Sequence, residues 1–232
     1  VPLGRDEVVK GALALLDEEG LDALTMRRLA KTLGVQAGAI YWHFADKQAL
    51  IDAMVEQMLG GLVEPPPEGS WQEQLGELSR RMAAALLAHR DGARLATLAL
   101  RPGPNGLGLS EAMMAIIRRG VRTSRAALWA GAVIGYYVLG YVVDVQATEA
   151  AKARGLVSVV RAFRKKLDKK QFPQLHAISD GTMEEMMLTG RSAQSRFEFG
   201  LGVILRGLGE APPPATPKRR PRRASRPPRR RS

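Results

Sequence analysis

The chain contains no cysteine at all. That excludes a disulfide framework, a thiolate zinc site and a cysteine nucleophile, and nothing signals an oxidising compartment. Histidine is nearly as scarce: His43, His89 and His176 are the only three, too scattered to suggest a metal centre or a catalytic triad. No glycine-rich phosphate loop is present either. With those constellations missing, the chain is expected not to be an enzyme and to need neither cofactor nor metal. No unbroken run of 18 apolar residues occurs, and Val1-Pro-Leu-Gly-Arg-Asp-Glu7 lacks the layout of a signal peptide. The expectation is a cytoplasmic protein with no membrane partner. Period-two alternation is also missing; apolar residues recur at helical spacing, which predicts an all-α fold.

What is abundant is positive charge, and it is unevenly spread. Of 35 Lys and Arg residues, nine fall between Lys218 and Arg231, where there is no acid at all. The rest of the chain holds 26 basic residues against 23 acidic, so the formal charge of +12 reports mainly this tail. With so few apolar residues, the stretch 211–232 is expected to be disordered. The first 62 residues carry six Lys and Arg against nine Asp and Glu. If that segment binds a polyanion, local placement of Arg27, Arg28, Lys31, His43 and Lys47 must do it, because bulk charge cannot.

The stretch from Leu24 to Leu50 is the most informative. Leu29, Ala30 and Leu33 form one apolar face of a short helix, Thr25 is a good N-cap for it, and Gly34 suits the tight turn that follows. A second short helix carries Gln36, Ala37, Tyr41, Trp42 and His43, an unusual polar and aromatic set for a surface helix. The period places Ile40 and Phe44 in the core and Tyr41 outside it. A helix laid against phosphates and base edges needs that composition, so the segment reads as a helix-turn-helix.

A first helix is expected from about Asp6 to Glu19, stopped by Gly20, and a fourth from Asp46 to about Leu62. Pro65-Pro-Pro67 then breaks the chain. Ser70 to Glu73 is a capping box that starts a helix running to about Ala88. A loop is expected at Arg101-Pro-Gly-Pro-Asn-Gly106, a helix capped by Ser110 over about 111–120, a long helix over about 124–153, and a last one over about 193–208. The domains expected are 1–62 for DNA binding (bridging helix about 46–62), a second helical domain over 68–210, and 211–232 as tail.

These residues resemble the TetR family of one-component transcriptional repressors, and the tetracycline-repressor branch in particular. The resemblance rests on Leu33-Gly-Val35, Tyr41-Trp42-His43, Lys47 and Ala49-Leu50. It continues in Ser70-Trp71-Gln72, Leu87-Ala-His-Arg-Asp-Gly-Ala93, Arg101-Pro102, Phe199-Gly-Leu201 and Gly207-Leu208, and so covers about residues 5 to 209. It implies a homodimer reading palindromic operator double-stranded DNA through Thr25, Arg27, Arg28, Gln36, Ala37, Gly38, Tyr41, Trp42, His43 and Lys47. By resemblance, Tyr41, Trp42 and His43 lie against the operator backbone and nearby bases, Lys47 contacts a phosphate, and Arg27 reaches a guanine edge. The chain departs from that branch at Ala37 and Gly38, where the relatives carry a base-reading Gln and a Pro. A different operator is therefore expected.

The resemblance also implies that 68–210 is a ligand-binding and dimerisation domain, with a pocket for a small effector and release from DNA on binding. The branch holds its drug with Mg²⁺ through histidines that this chain lacks: Arg94 to Leu98 contains none, and Val63 and Tyr136 stand at two further positions. Asp144 falls near a carboxylate of that site, but alone it makes no metal site. The expectation is instead a small hydrophobic or aromatic effector such as an aromatic polyketide antibiotic. Its pocket would draw on Leu78, Met82, Leu86, Leu98, Arg101, Pro102, Met113, Ile117, Trp129, Val133, Tyr136, Tyr137, Met183, Met186 and Met187. Arg94 and Arg101 are candidates to pair with an acidic or phenolate group. An efflux gene is the expected target, and a ligand-independent dimeric regulator is the alternative.

Overall fold

The computed structural model describes residues 3–62, 69–178 and 190–210. Among the described residues there is no strand. Four helices make the first unit: α1 (Arg5–Glu19), α2 (Met26–Thr32), α3 (Ala37–His43) and α4 (Lys47–Met58), with a single 3₁₀ turn at Leu21–Ala23. The second contains α5 (Trp71–Leu87), α6 (Gly92–Leu98), α7 (Pro104–Ile117), α8 (Ser124–Lys152), α9 (Leu156–Lys165), α10 (Pro173–Ala177) and α11 (Gly190–Glu210).

Local chemistry explains most boundaries. The Thr25 hydroxyl accepts the Arg28 N–H at 3.1 Å, Asp46 accepts the Ala49 N–H at 2.7 Å, and Ser70 and Glu73 form a reciprocal capping box. Gly34 has φ +68°, the left-handed conformation that the turn between α2 and α3 requires. In the first unit Val8, Ala12, Leu16, Leu24, Leu29, Ile40, Phe44, Leu50 and Met54 are sealed from solvent. In the second, α5 packs on α7, α8 and α11, and Leu75, Leu78, Ile117, Ile134 and Val138 fill the space between them. α4 belongs to both units: it packs on α1 on one side and on α6 and α7 on the other.

Several expectations need correction. The fourth helix ends at Met58, because Gly61 turns the chain at φ +76°. Residues 101–106 are not all loop. α7 begins at Pro104, which suits the first helical position, and Ser110 lies inside it with its hydroxyl donating to the Gly106 carbonyl at 2.9 Å. The helix 92–98 is an addition, and the last helix starts at Gly190. By length and composition alone α8 would span a bilayer, yet one side of it is packed on α5, α7 and α11. The expected disorder of 211–232, the break at 65–67, and Val63, Met183, Met186 and Met187 lie outside the described residues.

Candidate DNA interface and effector site

α2 and α3 form a rigid corner because Leu29, Ala30 and Ile40 point inward and Phe44 closes the end of α3. The same geometry forces the next residues outward. Trp42 is 82 % exposed and Tyr41 52 %, so two large aromatic rings stand in water on one short helix, side by side with exposed Gln36 and Gly38. A Cβ built on Gly38 would meet nothing within 4 Å. Packing within the chain therefore does not require glycine there, and the helix backbone at this position is open to solvent.

The basic residues divide into two kinds. The side chains of Arg27, Lys31 and Lys47 are exposed and form no hydrogen bond or ion pair among the described residues, although Lys31 is near enough to Glu19 to help lower its pKa. Arg28 is held by Glu19 of α1 through a bidentate contact, Nε lying 3.0 and 3.1 Å from the two carboxylate oxygens. That hydrogen bond lowers the Glu19 pKa and raises that of Arg28. Arg28 thus locks α2 to α1 instead of reaching outward. His43 is likewise engaged: its Nε2–H donates to the Leu3 carbonyl at 2.7 Å, and its ring sits edge-on to Trp42 with centroids 4.7 Å apart. Arg5 completes this end, donating to the His43 carbonyl at 3.2 Å and lying 4.3 Å above the Phe44 ring. Sequence reasoning missed Arg5, and its spacing to His43 carries no local signal. Thr25 acts through its cap on α2, and Ala37, half-buried, opens α3 after the exposed N-cap Gln36.

The acidic balance of the first unit is explained by where its carboxylates face. Asp17 accepts from His89 Nδ1 at 3.0 Å and from the Arg90 N–H at 2.9 Å, and Asp22 pairs with Arg94 at 3.0 Å. Asp52 and Glu56 also turn to the second unit. Glu7 supports the α1 cap and Asp46 that of α4. Four of the nine carboxylates of the first unit, Asp17, Asp22, Asp52 and Glu56, thus face the second unit, while the outer side of α2 and α3 carries Arg27, Tyr41 and Trp42.

α4 makes that joint with three residues spaced four apart. The Gln48 side-chain amide donates to the Leu98 carbonyl at 2.8 Å. The Asp52 carboxylate accepts the Leu100 N–H at 2.8 Å and faces Arg101 at 3.9 Å. The Glu56 carboxylate accepts the Asn105 N–H and, at 3.1 Å, the Gly106 N–H, which are unpaired donors in the first turn of α7. Burial pushes the Asp52 pKa up, but the Leu100 N–H, the Gln48 amide and Arg101 outweigh it and hold the carboxyl below its ordinary range. One face of α4 therefore grips the whole corner from the end of α6 to the start of α7.

The residues expected around the effector fall into three groups. Leu78, Leu86 and Ile117 are buried, with Met82 and Met113 half-buried beside them on α5 and α7. Leu98, Arg101 and Pro102 are exposed at the corner that α4 grips. Trp129, Val133 and Tyr136 are exposed on α8, Tyr136 to 75 %. Tyr137 stands apart from all three: its hydroxyl donates to the carbonyls of Arg196 and Phe197 at 3.1 and 2.9 Å, and its ring stacks on Phe197 at 5.4 Å. Burial raises its pKa, and its role is to fasten α8 to α11. Arg94 is committed to Asp22 and Asp91. Among the glycines of α8 and α11, Gly131 faces Met113 and Ile117 and Gly200 lies under Tyr137, both within the chain, while Gly135 and Gly140 are open.

Comparison with known proteins agrees with this architecture. Residues 8–54 match the model for bacterial regulatory proteins of the tetR family, and residues 64–211 match that for the tetracyclin repressor-like C-terminal domain. The Escherichia coli class E tetracycline repressor protein is 37 % identical over 210 residues, covering 89 % of this chain and 90 % of the relative. A possible TetR family regulator from Streptomyces coelicolor A3(2) superposes with a TM-score of 0.76 at 36 % identity, covering 88 % and 98 % of the two chains. Streptomyces coelicolor ActR in complex with actinorhodin gives a TM-score of 0.76 at 32 % identity, covering 90 % and 96 %. The chain is a member of the TetR family of DNA-binding transcriptional repressors.

Proposed function

We propose that this protein is a homodimeric repressor that leaves its operator when a flat, hydrophobic aromatic ligand of the polyketide class binds, and that it controls an efflux gene. Regulators of this family act on DNA in the cytoplasm. The observation that carries the reading is the row Gln48, Asp52 and Glu56 on α4, hydrogen-bonded to the corner around Arg101 and Pro102. A ligand held between that corner and the Met82, Met113 and Ile117 surface favours one position of the corner over another. Only such a difference in affinity between two states can release DNA. α4 turns the shift into motion of the DNA-binding unit: over its 12 residues, about 18 Å, a 10° tilt displaces the far end by roughly 3 Å. That suffices to misplace Lys47 and α3 against a groove.

Recognition rests on Arg27, Lys31, Gln36, Tyr41, Trp42 and Lys47, with Gly38 admitting the DNA backbone. Thr25, Arg28 and His43 hold that surface in shape. A palindrome requires two such heads one helical turn apart, roughly 34–36 Å. The dimer seam supports this. Trp129, Val133, Tyr136, Gly140, Val143 and Ala147 recur at alternating spacings of four and three along α8, all exposed in the single chain. That period makes a continuous helix-packing stripe, and exposed Phe199 and Val203 of α11 extend it. Trp129, Val133 and Tyr136 accordingly belong to the second copy's interface in this reading, and the effector is left to the buried methionine-lined group.

Choice of ligand follows from the side chains. His43, His89 and His176 are each placed elsewhere: on α3, on Asp17 and on α10. Nothing among the described residues gathers three His, Asp or Glu for a metal. ActR, 32 % identical, is known in complex with actinorhodin, and a surface of Met82, Met113 and Ile117 suits such a ligand better than a metal chelate. Titrating protein bound to DNA from beside its own gene with actinorhodin, and separately with tetracycline plus Mg²⁺, tests the reading; release by the second alone contradicts it.

A further inference from the structure

His43, the last residue of α3, is tied to the chain through only one of its two ring nitrogens. Nε2 lies 2.7 Å from the Leu3 carbonyl oxygen. A carbonyl only accepts, so Nε2 carries the hydrogen, and in the neutral ring Nδ1 is then a bare acceptor. Turning the ring over would put a carbon against that oxygen. Nδ1 itself has no hydrogen bond or ion pair among the described residues. Nor is it shut away, because the one buried side-chain nitrogen or oxygen without a partner among those residues is Asp52 Oδ2.

No carboxylate is bonded to this ring. Arg5, at the start of α1, donates to the His43 carbonyl, and Asp6 and Lys10 follow it, both exposed. Glu7 accepts the Gly4 N–H, Glu19 holds Arg28 of α2, and Asp46 accepts the Ala49 N–H. Arg27 and Lys31 of α2 and Lys47 of α4 add positive charge. His89 differs: its Nδ1 lies 3.0 Å from Asp17 in the joint between units, while His176 is on α10. The chain has no cysteine, so His43 is the one side chain of α2 and α3 of a type that changes charge between about pH 5 and 8.

We propose that His43 contacts an operator phosphate through Nδ1 only as the imidazolium, so that each DNA-binding unit takes up a proton as it seats. The proposal rests on the operator reading. A recognition helix offers base edges its N-terminal residues, so its last residue meets the sugar–phosphate backbone. Phosphate oxygens accept; a neutral Nδ1 turns a lone pair toward them, whereas an imidazolium turns a charged N–H. The bond from Nε2 to Leu3 survives in both forms, so charging the ring changes the contact to DNA and not the shape of the surface. A proton held more tightly in the complex than in the free protein strengthens binding at low pH, and the gain is lost as pH rises.

The test uses the full-length protein and a duplex of about 30 bp that it selects from a random pool near pH 6. Affinity is read by anisotropy near pH 5.5 and near pH 7.5, each over a series of salt concentrations. The parent should bind roughly tenfold more tightly, or better, at the lower pH. Its plot of log K against log salt should also steepen there, by about 0.9 per contact and so about 1.8 for a dimer. His43→Gln, whose amide still donates to Leu3 but takes no proton, should show one affinity and one slope at both pH values. If circular dichroism shows that variant to be unfolded, the parent decides. With histidine labelled at Cε1, the His43 signal, assigned by elimination with His89→Gln and His176→Gln, should titrate at higher pH in the complex than in the free protein. Equal affinity and slope at the two pH values in the parent overturn the proposal, as does pH dependence that persists in His43→Gln or a His43 titration that DNA leaves unmoved. Tighter binding near pH 7.5 overturns it too, since neutral Nδ1 would then be accepting from a base amino group. If no duplex is selected at all, the operator reading fails and the proposal with it.

Discussion

Removing the Glu56 carboxylate should uncouple ligand from DNA without abolishing either binding. In the structure this group accepts two backbone N–H bonds at the start of α7, over 49 and 50 residues of sequence. Hydrogen bonds to a charged acceptor contribute about 1.5–3 kcal/mol, and a carboxylate at a helix N-terminus adds roughly 0.3–1 kcal/mol. Half-buried Glu56 should sit near the low end, so Glu56→Ala weakens the joint by about 2 kcal/mol. Coupling energies between sites are usually about 1–3 kcal/mol. A ligand that weakens operator binding 100-fold in the parent should therefore weaken it only about threefold in Glu56→Ala, since each 1.4 kcal/mol is tenfold. Glu56→Gln, which keeps one acceptor, should fall between. Operator affinity is read by fluorescence anisotropy with and without ligand, and ligand affinity separately by quenching of tryptophan. A melting temperature lowered by only about 4–8 °C would show that the variant is folded. Full ligand-driven release by Glu56→Ala, with unchanged ligand affinity, would refute the lever.

Three further outcomes follow from the same geometry. Arg27→Ala should weaken operator binding by about 1–3 kcal/mol and leave the melting temperature unchanged, whereas Arg28→Ala, losing its grip on Glu19, should lower the melting temperature; equal effects on DNA without loss of stability would put both arginines on the operator. Gly38→Ala should raise stability by up to about 1 kcal/mol, because the site is open and helical, yet weaken DNA binding measurably; unchanged affinity would mean that no backbone approaches there. Val133→Asp should dissociate the dimer in sedimentation at micromolar concentration while each chain keeps its helical circular dichroism, and an intact dimer would move the seam elsewhere.

Much of this was legible because it is local. Thr25, Asp46 and the Ser70–Glu73 box announce helix starts through contacts within three residues. Gly34 announces a turn, and the 3.6-residue period separates buried Ile40 and Phe44 from exposed Tyr41 and Trp42. What the structure adds to the sequence reading shares a cause in distance along the chain. Ser110 looks like a cap, but α7 starts six residues earlier because Glu56, far upstream, satisfies its first donors. Arg28 looks like its neighbour Arg27 until Glu19 is seen beside it. Tyr136 and Tyr137 are adjacent and chemically identical, and only the position of α11 decides that one ring is fastened to Phe197 while the other stays exposed. A residue's face on a helix can be read from its period, but what stands opposite that face cannot.

The central claim is that a flat aromatic ligand, and no metal chelate, moves α4 and frees the DNA. The most direct measurement is anisotropy of the protein on labelled DNA from the intergenic region beside its gene, titrated with actinorhodin and with tetracycline plus Mg²⁺. The account predicts release at least tenfold stronger with actinorhodin and none with the tetracycline complex. Release by tetracycline plus Mg²⁺, or binding that no aromatic polyketide disturbs, would contradict it.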